Sequence, residues 1–176
     1  MLEGVIDFSW TLFLDRDGVI NRRFFGNYVT KVDDFHFQSG VFEFLNFANK
    51  YFHKIIVVTN QQGVGKGIMT EIELEEIHQF MIESITNHGG RIDSVYSATN
   101  LRDAENNIRK PNSFMGYQAK NDYPSIDFNK SIMIGDTNSD ILFGKNLGMK
   151  TILINSPEKV TEASDFQISS LTELIF

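Results

Sequence analysis

The chain has 176 residues, 41% of them apolar, with 16 basic and 23 acidic side chains and a formal charge of −7. That is the size and composition of one globular domain, and the acidic excess disfavours broad binding to nucleic acid or an anionic membrane. No cysteine is present, which excludes disulfides, thiolate catalysis and every Cys-ligated zinc or iron–sulfur centre.

The opening segment, MLEGVIDFSW, lacks a basic region and carries Glu3 and Asp7 where a secretory leader would be apolar. No window approaches the roughly 18 consecutive apolar residues of a membrane helix. A cytoplasmic location is therefore expected. Short apolar runs at 11–14 (TLFL), 54–58 (KIIVV), 92–97 (IDSVYS), 131–134 (SIMI) and 151–154 (TILI) read as strands. All but the third are nearly continuous in hydrophobicity, as parallel strands covered on both faces should be. Helical periodicity fills the gaps. Residues 41–52 place Val41, Phe44, Leu45 and Ala48 on one stripe, and 71–87 place Ile72, Ile77, Phe80, Met81 and Ile85 on another, opened by a Thr70-x-x-Glu73 capping box. Shorter helices are expected at 113–122 and 139–147, the latter closed by Gly148. A final helical turn from Ser169, with Leu171, Leu174 and Ile175 on one side, should pack against the sheet edge.

Alternating strands and helices predict an α/β, doubly wound, mainly parallel five-stranded sheet, whose sites gather beyond the carboxyl ends of the strands. Residues 18–40 form a long insertion with no clear helix, a flap over the end of the first strand.

Chemistry concentrates at those strand ends. Asp15 and Asp17, two residues apart after a buried strand, project to the same side of an extended segment. Two carboxylates so close repel and need a cation or a shared proton; Mg²⁺, with its preference for oxygen, is the natural partner. Alone, Asp15-Arg16-Asp17-Gly18 is equally a solvated turn. Gly135-Asp136 after another buried strand changes the balance, because neighbouring strands would bring Asp136 close to Asp15 and Asp17. Asp136 or Asn138 as a simple helix cap is the alternative there. Thr59 and Asn60 end the second strand with groups suited to phosphate oxygens. The Gly65-Lys66-Gly67 that follows is not a P-loop, which would need Gly at position 60 and Ser or Thr at 67. Arg109-Lys110-Pro111 places a basic pair before the next helix, where Lys110 can neutralise a transferring phosphoryl group. His36, His53, His78 and His88 are scattered without partners at ligand spacing, so surface or core roles are expected for them.

The order D-x-D-G, T-N, K-P, G-D-x-x-x-D, spanning Asp15 to Asp140, resembles the haloacid dehalogenase (HAD) superfamily of phosphohydrolases. The fuller strings Asp15 to Asn21, Tyr28-Val29, Gly40-Val41, Thr59-Asn60-Gln61 and Arg109-Lys110-Pro111 are similar to its histidinol-phosphatase-like branch. The resemblance implies a single HAD-like phosphatase domain over 1–176 with a minimal flap-type cap. It implies phosphoryl transfer to Asp15, with Asp17 as general acid and base. Mg²⁺ would be held by the Asp15 side chain, the Asp17 carbonyl and Asp136, with Asp140 behind them. Thr59 and Lys110 would grip the phosphoryl group, Asn60 and Arg109 the substrate, and flap residues 23–26 the leaving group. The implied substrate is a small phosphorylated sugar such as D-glycero-D-manno-heptose 1,7-bisphosphate, the alternative histidinol phosphate or another small phosphomonoester.

One departure matters. The branch commonly holds zinc through C-x-H and C-x-C ligands, whose places fall at Ala98, Asn100, Asn106 and Ile108. No zinc is therefore expected, and the loop at 98–111 should be held by its own hydrogen bonds and by burial of Leu101 and Ile108. A phosphoacceptor signalling domain would use a similar Asp, Mg²⁺, Thr and Lys, but has no use for an acid/base carboxylate at Asp17. Oligomeric state is not readable from the sequence.

Overall fold

The computed structural model describes residue 4 and residues 6–176; Glu3 lies outside the described residues. Six strands form one parallel sheet: β1 (Thr11–Leu14), β2 (Lys54–Asn60), β3 (Ser94–Ala98), β4 (Ser131–Gly135), β5 (Lys150–Ile154) and β6 (Phe166–Ile168), in the order β3-β2-β1-β4-β5-β6. The expected five strands are therefore six. The sixth is three residues long and sits in a polar stretch, so it has too few residues to show an alternating pattern.

The continuous apolar strands are explained by burial on both faces. Leu12, Leu14, Ile55, Val57, Ile132 and Ile134 point into one core, while Phe13, Ile56, Val58 and Met133, the alternate residues, point into the other. The first core is closed by α1 (Val41–Tyr51) and α3 (Glu71–Asn87). The second is closed by α4 (Phe114–Asp122) and α5 (Asn138–Leu147). A four-residue turn of helix, α2 (Gln62–Gly65), follows β2 directly.

The α1 stripe of Val41, Phe44, Leu45 and Ala48 is buried as its spacing predicts. In α3 the capping box forms, with Thr70 Oγ1 accepting from Glu73 N at 3.1 Å, but the stripe is rotated. The buried set is Leu74, Ile77, His78, Met81 and Ile85, and Ile72 is 73% exposed. Ile72 lies in the first helical turn, outside the stripe that Leu74, Ile77, His78, Met81 and Ile85 present to the core. The C-terminal segment forms a 3₁₀ turn at Leu171–Leu174 that packs on α1, while β6 itself makes the sheet edge. Leu171 and Leu174 are buried there, but Ile175 is 39% exposed.

Residues 18–40 contain no α-helix, only a 3₁₀ turn at Val32–Asp34. Their base is pinned by Arg22 N donating to His36 O and Gln38 N to Ile20 O, with Val19, Ile20, Val29 and Phe35 in the first core. The tip, near Phe24 and Phe25, exposes two large apolar side chains. Among the described residues no helix is long and apolar enough to cross a membrane.

Candidate active site

The strand order reverses direction between β1 and β4, and a doubly wound sheet opens its crevice at that point. Leu14 pairs with Ile134, so Asp15 and Asp136, the first residues past or beside these strand ends, emerge next to one another. Asp140 comes from the first turn of α5. One carboxylate oxygen from each of Asp15, Asp136 and Asp140 lies within 4.8 Å of the others, and all three residues are buried. Two glycines make the convergence possible. A Cβ on Gly18, whose φ is +101°, would fall 2.1 Å from Asp136 Oδ2, and one on Gly135 would fall 2.1 Å from Asp140 Cβ. The cap of α5 is neither Asp136 nor Asn138. Thr137 holds that position, and Asp140 Oδ2 closes a capping box by accepting from Thr137 N at 3.0 Å.

Lys110 answers the acids. Its Nζ lies 2.8 Å from Asp15 Oδ1, 2.6 Å from Asp140 Oδ1 and 2.6 Å from the Val58 carbonyl. Burial alone would lower the Lys110 pKa, but the charges of Asp140 and Asp15 outweigh it and raise it. Burial, then repulsion by Asp140, pushes Asp15 up to about 6 against the pull of Lys110. Burial, then repulsion by Asp15, pushes Asp136 up to about 8. The pocket is thus short of positive charge. Asn60 fixes the backbone of Lys110 in both directions, its Oδ1 accepting from Lys110 N at 2.9 Å and its Nδ2 donating to Lys110 O at 3.2 Å. The side chain expected to reach a substrate therefore serves first to set the lysine.

Asp17 is turned toward a different set of groups. Arg16 Nη2 lies 3.0 Å from both of its carboxylate oxygens, Asn21 Nδ2 donates to Oδ1 at 2.9 Å and Gln61 Nε2 to Oδ2 at 2.8 Å. Burial would raise the Asp17 pKa, but the Arg16 charge and these hydrogen bonds hold it below the usual carboxylate value. Gln61 Nε2 also donates to Thr59 Oγ1 at 2.8 Å, tying the acid to the end of β2. Arg16 is 1% exposed; its Nη1 approaches His78 Nε2 at 3.3 Å, and its guanidinium lies 5.8 Å from the Phe35 ring centroid. Sequence reasoning missed Arg16, Asn21, Gln61 and His78 as site residues. The available signal was a charged residue and an amide at strand ends, without any mark that they would be buried.

The flap tip closes one side of a cavity of about 440 Å³, lined by Asp15, Asp17, Arg23, Tyr28, Arg109 and Lys110 among others. Arg109 Nη1 is buried and has no hydrogen-bond partner among the described residues. Burial, then the nearby Arg102, lowers the Arg109 pKa, so an anion between these guanidinium groups would relieve both costs. Arg23 Nη2 donates to Asp136 Oδ1 at 2.7 Å and to the Asp17 carbonyl at 3.0 Å.

The donor set suits a hard divalent cation. Carboxylates and a carbonyl are its preferred ligands, and Asp136 Oδ2 is buried without a hydrogen-bond partner among the described residues. The zinc positions hold Ala98, Asn100, Asn106 and Ile108, none of which offers a thiolate or imidazole. Asn107 organises that loop instead: Nδ2 donates to Arg102 O at 2.5 Å, Oδ1 accepts from Arg109 N at 2.9 Å, and its carbonyl accepts from Asn112 Nδ2 at 3.1 Å. Ile108 packs partly buried against the second core, but Leu101 is 40% exposed, contrary to expectation.

Residues 107–174 match the Hydrolase_like (HAD-hydrolase-like) family model. The chain is 36% identical over 167 residues to the D-glycero-beta-D-manno-heptose-1,7-bisphosphate 7-phosphatase of Helicobacter pylori, covering 93% of this chain and 94% of that one. It is 33% identical to the D-glycero-alpha-D-manno-heptose-1,7-bisphosphate 7-phosphatase of Campylobacter jejuni, covering 93% and 92%. A crystal structure of a D,D-heptose 1,7-bisphosphate phosphatase from B. bronchiseptica, complexed with magnesium and phosphate, superposes with a TM-score of 0.84 at 20% identity, over 94% of this chain and 96% of that one. With sequence relatives spanning nearly the whole chain and the fold in agreement, the chain belongs to the heptose-1,7-bisphosphate 7-phosphatase family of HAD-type phosphomonoester hydrolases.

Proposed function

We propose that this protein hydrolyses the 7-phosphate of a D-glycero-D-manno-heptose 1,7-bisphosphate, using Mg²⁺ and the carboxylate of Asp15 as nucleophile. The observation that carries the reading is the buried convergence of Asp15, Asp136 and Asp140 against Lys110, beside a second, separately held carboxylate at Asp17. The Asp15 side chain, the Asp17 carbonyl and Asp136 would hold the cation, with Asp140 fixing Lys110 behind them. Bound Mg²⁺ supplies charge neutralisation to the phosphoryl oxygens and the nucleophile.

In the first step an Asp15 oxygen bonds to phosphorus and the bond from phosphorus to the sugar oxygen breaks, giving an aspartyl-phosphate. Asp17 donates its proton to the departing sugar oxygen. In the second step Asp17 takes a proton from water, the water oxygen bonds to phosphorus, and the Asp15 carboxylate is released with inorganic phosphate. Lys110 balances charge on the transferring group, Thr59 donates a hydrogen bond to it, and the flap tip acts as a minimal cap over the leaving group. Arg109, whose Nη1 has no hydrogen-bond partner among the described residues, would hold the phosphate that is not cleaved.

Phosphate release from both anomers of the heptose bisphosphate, from histidinol phosphate and from an aryl phosphate, each with and without Mg²⁺, tests this. Metal-dependent release of one phosphate per heptose bisphosphate is expected, and Asp17→Asn should slow it by about 100-fold or more. Hydrolysis of the aryl phosphate alone would end the substrate assignment, and unchanged turnover by Asp17→Asn would end the acid/base assignment.

A further inference from the structure

The flap carries a cation into the acid pocket. Arg23 Nη2 sits 2.7 Å from Asp136 Oδ1, 3.0 Å from the Asp17 carbonyl and 3.7 Å from Asp15 Oδ2. These are the three groups assigned to the divalent cation in the proposed function, on which this inference rests. A Mg²⁺ ion bonds oxygen at about 2.0–2.1 Å, so an ion on those oxygens would overlap the guanidinium nitrogen and meet its charge. The ion and the guanidinium cannot hold those three oxygens at once. Nη1 of the same side chain pairs with Glu158 at 3.0 Å, so the guanidinium is held from both sides.

The charge balance explains why it is there. Asp15, Asp136 and Asp140 are buried together, and Lys110 alone reaches only Asp15 and Asp140 among them. A carboxylate buried without a counter-charge is strongly destabilising. Asp136 has Arg23 as its partner and no other ion pair among the described residues. Removing the guanidinium without replacing its charge would leave that carboxylate stranded.

We infer that Arg23 is the resident counter-cation of the metal pocket, and that a divalent cation enters by displacing it. Two properties follow. The protein's own arginine weakens its affinity for metal, because binding must break the Arg23 contacts. Metal entry also moves the flap tip, since Arg23 belongs to it, while Glu158, exposed on the opposite loop, remains available to the released guanidinium.

Metal-stripped full-length protein, titrated with Mn²⁺ and read by the electron paramagnetic resonance of the free ion, tests this without substrate. Arg23→Gln should bind Mn²⁺ on the order of tenfold more tightly than the unsubstituted protein. In the unsubstituted protein, amide hydrogen exchange over residues 22–28 should speed up when Mn²⁺ is added. Equal or weaker Mn²⁺ binding by Arg23→Gln, or exchange in the tip unchanged by metal, would overturn the inference. Asp136→Asn separates the two levels: its loss of binding supports the metal pocket itself. Binding by Asp136→Asn equal to that of the unsubstituted protein would overturn the pocket and the inference together.

Discussion

His78 gives the site an acid sensitivity whose size can be worked out. The imidazole is 4% exposed, under α3, with Nε2 3.3 Å from Arg16 Nη1. Burial first, and then the Arg16 charge, push its pKa down to about 3 from the ordinary 6.5. The folded protein therefore refuses a proton that the unfolded chain accepts below pH 6.5. Stability from this group is complete above 6.5 and is lost progressively as pH falls toward 3. At pH 5 the loss is about 2 kcal/mol, from the 1.5-unit drop below the unfolded value at about 1.36 kcal/mol per unit. Asp15 and Asp136 act in the opposite sense, since carboxyls pushed up to about 6 and about 8 favour the folded state as pH falls. A comparison with His78→Gln cancels them, because the amide does not titrate and its oxygen can still accept from Arg16. Urea unfolding of both proteins in chelator, at pH 8 and pH 5, should show the variant gaining about 2 kcal/mol relative to the unsubstituted chain. A stability gap that is the same at both pH values would refute the reasoning, and with it the neutral, buried state of His78.

Two further perturbations probe the site's construction. In Gly18→Ala the new methyl would fall 2.1 Å from Asp136 Oδ2 at a φ of +101°, so Mn²⁺ binding should be lost while the circular dichroism of the fold persists; binding at normal affinity would contradict the packing of this glycine on the acid. Asn107→Ala removes the hydrogen bonds to Arg102 O and Arg109 N, and should speed proteolytic cleavage between residues 101 and 108 with little change in the melting of the core, whereas unaltered cleavage would mean the loop has another support.

What the sequence made legible were the features written in short spacings. The two-residue period of β1, β2 and β4 is split between two cores as it must be, and the acids lie at strand ends because polar residues cannot continue a strand buried on both faces. The α1 stripe, the α3 capping box and the C-cap at Gly148 are local in the same sense. Strand β6 escaped because its three residues pair only with β5, and pairing across chain segments leaves no mark in so short a run. The α3 stripe expected from hydrophobicity runs through Ile72 and Phe80, where the buried stripe has Leu74 and His78. Hydrophobicity argues for that choice, but burial of His78 is decided by Arg16, which approaches it from 62 residues away.

Arg16 shows why the chemistry was harder to read than the fold. Between two aspartates it looks like a surface charge neutralising a surface turn. Its position one residue past Asp15 instead sends it to the face opposite that of Asp15 and into the crevice under α3, where water is excluded. There its cost is met by the neighbouring Asp17 and by two groups from distant segments, His78 and the ring of Phe35. The consequence reaches Asp17, whose carboxylate is fixed by Arg16, Asn21 and Gln61 rather than by the acids around Lys110. Two carboxylates two residues apart thereby acquire different partners and opposite pKa directions, Asp15 raised and Asp17 lowered. Catalysis needs the reverse, Asp15 ionised to attack and Asp17 protonated to donate, so a cation beside Asp15 and a phosphoryl group beside Asp17 would have to shift each toward its working state; what the side chains around them build is the separation itself, and their spacing in the sequence announces nothing.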